Sequence, residues 1–177
     1  IELRATEAVA ETTPGTLKGY IGENGFQAGG TFVLEGDAWT EENGTQANLT
    51  ITKDTTIDLN GHTLTISNPN QQFEIQSGAT LTIRDSTAAE ETVTPESTSS
   101  KLYGNAATLE NDKLTYYITR SAPNADGTGT TETLEKHELD LTKTGIIENS
   151  ADAGGDQIFL AKDGGTLNLE SGVLRNK

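Results

Sequence analysis

The feature that most constrains this fold is a short strand pattern that returns along the chain. Residues 55–66 hold two runs in which Ile or Leu alternates with polar residues, and similar runs return in 78–85 and 164–172. Glycine or Asn-Gly interrupts these runs where a turn needs positive φ. Alternation of period two puts the apolar side chains on one face of each strand, so the pattern predicts an all-β protein.

The interval between the runs distinguishes a coil from a flat sheet. Ile57 and Leu59 stand 24 residues before Leu81 and Ile83. A flat meander has no reason to repeat at one interval, whereas a coil stacks each turn on the one before. We therefore predict a solenoid of roughly 24-residue turns, in which Ile57 lies beneath Leu81 and Leu59 beneath Ile83.

The pattern divides the chain into four segments. We predict an N-terminal arm or cap at 1–18, solenoid turns at 19–86, an insertion at 87–143 and further turns at 144–177. A strand pattern close to the last residue leads us to expect a monomeric fragment of a longer chain.

The insertion interrupts the repeat with two kinds of sequence. Residues 86–100 are polar and of low complexity, which predicts a mobile loop. Residues 114–120 and 131–142 alternate like strands and flank the turn-rich 123–129, which predicts a protruding β-hairpin. Because loops on a rigid scaffold often carry function, the insertion is the first place to look for a binding site.

Charge and composition exclude several classes of partner. The formal net charge is −15, from 27 Asp and Glu against 12 Lys and Arg. Nucleic acid and anionic membrane surfaces are bound by clustered Lys and Arg, so we predict neither as a partner. There is no Cys, which excludes disulfides and thiolate metal ligands. No apolar run approaches the roughly 20 residues that span a bilayer.

The strand phrases carry a family resemblance. Residues 56–64, 77–85 and 164–176 resemble segments of right-handed parallel β-helices in large surface proteins of gut Firmicutes, and the likeness extends over 29–86 and 145–177. The resemblance implies a pectate-lyase-like coil with three strands per turn. It also implies an adhesin-like, secreted protein at a Gram-positive bacterial cell surface. Because the repeat carries an insertion and no reactive groups, we predict that the inserted hairpin binds a host or microbial surface protein (immunoglobulin or mucin) or a glycan.

An enzyme is the main alternative, because polysaccharide lyases and glycoside hydrolases share this fold. Hydrolases need clustered carboxylates, yet Asp58, Glu74 and Asp85 are dispersed. Outward-facing Asp58 and Asp85 are 27 residues apart, more than one turn. Arg84 beside Asp85 resembles a lyase base, but neighbouring strand residues point to opposite faces. We therefore predict no catalytic residue. A passive spacer is a third hypothesis.

The binding hypothesis rests on the aromatic and polar residues of the insertion. Aromatic side chains offer a large contact area with a polar edge, and interfaces favour them. Tyr116 and Tyr117 are expected to face opposite ways, with one packed and one exposed. The predicted binding residues are Tyr103, Tyr116, Tyr117, Arg120, Asn124 and Asp126.

We predict no metal ion or cofactor, with calcium as an open alternative. Residues 124–129 resemble part of a calcium loop but lack its distal Glu, so a plain turn is favoured. Residues 152–156 place acids around Gly-Gly and keep calcium possible. His62 at a turn and His137 on a charged strand are predicted to be exposed bystanders.

Overall fold

The computed structural model describes residues 15–16, 25–40, 48–67, 71–87, 91–96, 107–149 and 157–175. Within them the all-β class is confirmed, because every element is a strand or a short 3-10 helix. The strands are β1 Gly15–Thr16, β2 Gly30–Val33, β3 Ala38–Trp39, β4 Leu49–Ile51, β5 Thr55–Asp58, β6 Thr63–Ile66, β7 Phe73–Ile75, β8 Thr80–Arg84, β9 Glu91–Glu96, β10 Thr108–Glu110, β11 Lys113–Pro123, β12 Thr130–Asp140, β13 Ile146–Asn149, β14 Phe159–Ala161, β15 Thr166–Leu169 and β16 Val173–Arg175. The 3-10 helices are Gly25–Ala28 and Leu141–Lys143. No helix in this part of the chain is long and apolar enough to cross a membrane.

The chain forms two compact units. Ile1–Ala88 and Thr144–Lys177 make up the first, which we call the parallel unit, and Ala89–Lys143 make up the second, the antiparallel unit. Each is described by itself below.

Three parallel sheets build the parallel unit. Their strand orders are β1-β3-β6-β13-β16, β4-β7-β14 and β2-β5-β8-β15. From β2 onward the chain visits the three sheets in a fixed cycle, and it resumes the same cycle after the antiparallel unit. Each strand therefore pairs in parallel with the strand one cycle later, as in β3 with β6 and β4 with β7.

The register between neighbouring strands differs from the one predicted. Ile57 pairs with Ile83, and Thr55 with Leu81, so the interval on this sheet is 26 residues and not 24. Leu49 and Phe73 on another sheet do pair at 24. A slip of two residues keeps every side chain on its face, so the alternation fits both registers and the corner lengths decide between them.

A continuous apolar core runs between the three sheets. Ile57, Leu64, Phe73 and Leu81 are fully buried within it. On one sheet the core includes stacked aromatic rings. Phe73 of β7 and Phe159 of β14 are partners on neighbouring strands, and their ring centroids lie 5.7 Å apart. Burial of such side chains contributes about 1.5 to 3 kcal/mol each, which makes the core the main stabilising element of this unit.

The antiparallel unit is a four-stranded sheet of order β10-β11-β12-β9. The predicted hairpin is present as β11 and β12, but two further strands flank it. The prediction of a mobile loop at 86–100 is wrong for Glu91–Glu96, which forms β9 against β12. Low complexity concealed this strand, although its Thr-Val-Thr core favours an extended backbone that the edge of β12 can pair.

Candidate binding surface

One face of the antiparallel unit gathers most of its apolar and aromatic residues. In an antiparallel pair, residues opposite each other share a face, and the register therefore defines what we call the tyrosine face. It consists of Leu109 of β10, Leu114, Tyr116, Ile118 and Arg120 of β11, Glu135, His137 and Leu139 of β12, and Glu91, Val93 and Pro95 of β9.

Tyr116 lies at the centre of this face. Its ring stacks on the His137 ring, with centroids 4.9 Å apart and an interplanar angle of 17°. Its hydroxyl donates a hydrogen bond to the Glu91 carboxylate. This bond, together with burial and the negative charge of Glu91, raises the pKa of Tyr116 to about 12. The phenol is thus held neutral and fixed in orientation.

His137 is buried, at 5% exposure, so its prediction as an exposed bystander is wrong. The reason is β9, which pairs with the far side of β12 and makes it a central strand. The ring Nδ1 lies 2.8 Å from Glu91 Oε1, and Nε2 lies 3.3 Å from Glu135 Oε2. A neutral imidazole has one N–H and satisfies one of these carboxylates, whereas an imidazolium donates to both.

Arg120 extends the polar network toward the distal end of the hairpin. Its Nε donates to Glu135 Oε2 over 2.9 Å, while 62% of its side chain stays exposed. The hydrogen bond from Arg120 is the largest cause that lowers the pKa of Glu135. Tyr116 and Arg120 are thereby linked through His137 and its two carboxylates.

Tyr117 lies on the opposite face of the same strand. Its partner across β12 is Lys136. Lys136 and Lys113 both contact Glu138, at 3.3 and 3.4 Å. Tyr116 and Tyr117 therefore do not form a single site.

The two predicted residues of the hairpin tip are engaged within the turn itself. Asn124 N–H donates to the Gly129 carbonyl, and Gly127 N–H donates to the Asn124 carbonyl. Asp126 Oδ1 accepts hydrogen bonds from the Thr128 hydroxyl and N–H, which hold the pKa of Asp126 below its ordinary value. These contacts favour the turn interpretation over the calcium loop. In the described ranges no group of three or more His, Asp or Glu is placed to hold a metal ion.

Three predictions fall wholly or mainly on residues that the structure does not describe. Tyr103 and the open calcium alternative at 152–156 lie outside the described residues, and so does the N-terminal arm or cap predicted at 1–18, apart from Gly15 and Thr16.

Sequence reasoning missed the two large apolar residues that the tyrosine face exposes most. Val93 is 47% exposed and Leu109 is 50% exposed. The signal was present as alternation in 91–96 and 108–110, but without the strand order neither residue could be assigned to the face that carries Tyr116. Exposed apolar side chains beside an aromatic ring are typical of interaction surfaces.

Asp58, Glu74 and Asp85, the carboxylates considered as catalytic candidates, accept hydrogen bonds within the parallel unit. Asp58, predicted to face outward, is 2% exposed. Burial alone would raise its pKa, but hydrogen bonds from Ser86, Asn60 and Arg84 outweigh it and keep the pKa of Asp58 below its ordinary value. The cause is the 26-residue register, which pairs Asp58 with Arg84.

Asp85 and Glu74 also serve as acceptors between neighbouring strands. Asp85 Oδ1 accepts from Gly61 N–H over 2.8 Å, and Oδ2 accepts from Gly145 N–H over 2.6 Å. Glu74 Oε2 accepts from the Asn48 amide over 2.8 Å. The Nδ1 atom of His62 lies 3.7 Å from Asp37 Oδ1, and a third of the His62 side chain is exposed.

Comparison with protein-family models, with curated proteins and with solved structures finds no match to this chain. The class of protein that the described geometry defines is thus an all-β protein with a parallel, three-sheet unit and an inserted antiparallel sheet.

Proposed function

We propose that this chain is a non-enzymatic, adhesin-like binding module of a secreted bacterial surface protein. In this proposal the three parallel sheets are successive faces of a right-handed parallel β-helix, and the antiparallel unit binds a surface protein or glycan of a host or another microbe. The fixed cycle in which the chain visits the three sheets supports the coil. It is the order expected when each turn adds one strand to every sheet.

The observation that carries the binding role is the tyrosine face. Val93 and Leu109 expose apolar side chains, and the rigid Tyr116 ring lies between their strands. Holding Tyr116 against His137 and Glu91 lowers the entropy that a partner must remove on binding. Arg120 adds an exposed cation to an otherwise acidic chain.

The test is a binding screen of the whole chain against glycan and surface-protein arrays, followed by matched variants. We expect Val93→Ser with Leu109→Ser to weaken a positive interaction by about tenfold or more, because central apolar contacts dominate interface energies. The control is Thr92→Ser with Thr94→Ser, which alters the reverse face of the same strand. Equal loss in both pairs would contradict a site on the tyrosine face.

Two alternatives have their own outcomes in this test. Release of reducing or unsaturated ends from polysaccharides would establish a carbohydrate-active enzyme. Silence of the intact chain on every array, with no product released, would leave the passive spacer.

A further inference from the structure

We propose that the antiparallel unit binds its partner by strand addition along the edge of β11 beyond Thr115, which no strand in the described ranges covers. This inference rests on the proposed binding function and specifies how the partner is held. The occupant is an extended segment of another protein, uncharged or basic, that adds a strand beside Tyr117, Thr119 and Ser121.

The edge exists because β11 is much longer than β10. Their pairing covers only Lys113 to Thr115 of β11, which continues to Pro123. Among the described residues, no strand pairs with β11 on that side beyond Thr115. Every residue from Thr119 to Pro123 is exposed. A row of unpaired backbone donors and acceptors of this kind is a template for another strand.

The direction of each backbone group follows from the turn at the hairpin tip. Asn124 N–H donates to the Gly129 carbonyl across the hairpin, over 2.9 Å. In an antiparallel pair the residues alternate between facing the partner and facing away. Ala122, Arg120 and Ile118 therefore face β12, which leaves Ser121, Thr119 and Tyr117 to turn their N–H and carbonyl groups to the free side.

The opposite end of β11 gives the same alternation. Asn111 and Asp112 form a two-residue turn with φ of 52° and 57°, flanked by Glu110 and Lys113. The residues that flank such a turn exchange backbone hydrogen bonds, so Lys113 and Thr115 face β10. Every second residue after Thr115 points its backbone groups to the same side, and these residues are again Tyr117, Thr119 and Ser121.

The chemistry of the edge identifies the occupant. Only another extended backbone offers donors and acceptors at the spacing of these three residues, which is the mode of recognition by strand addition. The edge has one charged side chain, Arg120, and it is exposed and paired with Glu135. A formal charge of −15 opposes a second copy of this chain and favours a segment without acidic residues.

Pro123 limits the site at its distal end. Proline has no N–H, so it offers only its carbonyl to an added strand. Strand addition is thus confined to the residues from Tyr117 to Pro123, which matches a partner segment of about five to seven residues.

The experiment follows the backbone amides of the whole chain by NMR while a blocked synthetic peptide of alternating Thr and Val, with Lys at both ends, is added. We expect shifts and slowed hydrogen exchange at the amides of Tyr117, Thr119 and Ser121. A peptide methylated on alternate backbone nitrogens is expected to bind about tenfold more weakly, because it loses the ladder donors. Shifts confined to side chains of the tyrosine face, or no shifts, would overturn strand addition.

Variants separate this inference from the proposed function. Thr119→Pro removes an edge N–H that the hairpin does not use, whereas Thr119→Ala keeps it; we expect about tenfold weaker peptide binding for the first and a clearly smaller loss for the second. The amide spectrum of each variant checks that the sheet is intact. If Thr119→Pro keeps full binding to an array partner, strand addition fails and the proposed function stands. Dimerisation of the peptide-free chain through β11 would assign the edge to a second copy and overturn the proposal.

Discussion

At the scale of single residues, Leu81 and Leu169 show how burial determines what one side chain contributes to the stability of the fold. Leu81 in β8 is fully buried, and Leu169 in the neighbouring β15 is 52% exposed. We expect Leu81→Ala to lower the free energy of unfolding by about 2 to 5 kcal/mol, since it removes buried atoms and leaves a cavity. Leu169→Ala should cost about 1 kcal/mol or less. Urea unfolding of both variants measures the difference, and equal losses would mean that the core does not include Leu81.

Tyr116 provides a second residue-scale prediction, on pH. Its pKa is about 12 in the folded protein against an ordinary 10.0. Folding therefore favours the neutral phenol, and the stability that this contributes is complete below pH 10 and lost as the pH rises toward 12. The difference in tyrosinate absorbance between the intact chain and Tyr116→Phe should titrate with a midpoint near 12.

Glu91→Gln is the matched variant for that titration. It removes the charge that opposes ionisation and weakens the acceptor of the phenol hydrogen bond, so the pKa of Tyr116 should fall toward 10.0. A Tyr116 midpoint near 10 in the unmodified chain would show that the phenol does not bind Glu91 in solution.

At the scale of elements, the turn between β10 and β11 determines the register of the antiparallel sheet. Asn111 and Asp112 both adopt positive φ, at 52° and 57°. Glycine accepts this conformation without a steric penalty, whereas a β-branched residue does not. We expect Asp112→Gly to leave stability within about 1 kcal/mol and Asp112→Val to lower it by about 1 to 3 kcal/mol. Thermal unfolding of the two variants tests this, and a valine variant as stable as the glycine one would rule out the turn.

The elements also show which parts of the structure a sequence can reveal. The alternating runs at 55–66, 78–85 and 164–172 contain β5, β6, β8 and β15. The pattern is clear in β5, β6 and β8 because their apolar residues are buried in the core. The same period cannot distinguish registers that differ by two residues, so Ile57 was matched with Leu81 where it pairs with Ile83. Corner lengths, which follow no periodic pattern, decide that register.

The candidate site was predictable only in part for a related reason. Tyr116 and Arg120 stand out in the sequence as an aromatic and a cation in an acidic, aromatic-poor chain. The burial of His137 and the exposure of Val93 both depend on the pairing of β9 with β12. Glu91 of β9 contacts His137, although the two residues are 46 positions apart in the chain. Composition made that strand look like a loop, and no local signal shows that it pairs with β12.

At the scale of the whole molecule, strands that lie before and after the insertion in the chain pair with one another in a single unit. The pairings that span the inserted residues, β6 with β13, β7 with β14 and β8 with β15, all lie inside the parallel unit. The two ends of the insertion are also close, since Gly145 N–H donates to Asp85 Oδ2 over 2.6 Å. Connecting them requires only a short linker, and a shorter loop costs less closure entropy.

We therefore predict that replacing residues 88–142 by a short Gly-Ser linker leaves the parallel unit folded. Its core contacts are retained, so the variant should unfold cooperatively and keep a β-type circular dichroism spectrum. Adding Leu81→Ala to the deletion is the control, and its cost should again be about 2 to 5 kcal/mol because the same cavity forms in the same core. If the deletion variant melts without cooperativity, or if Leu81→Ala no longer lowers its free energy of unfolding, then the parallel sheets depend on the antiparallel unit.

Array binding by the same variant should be lost, since the residues of the tyrosine face and the β11 edge are absent.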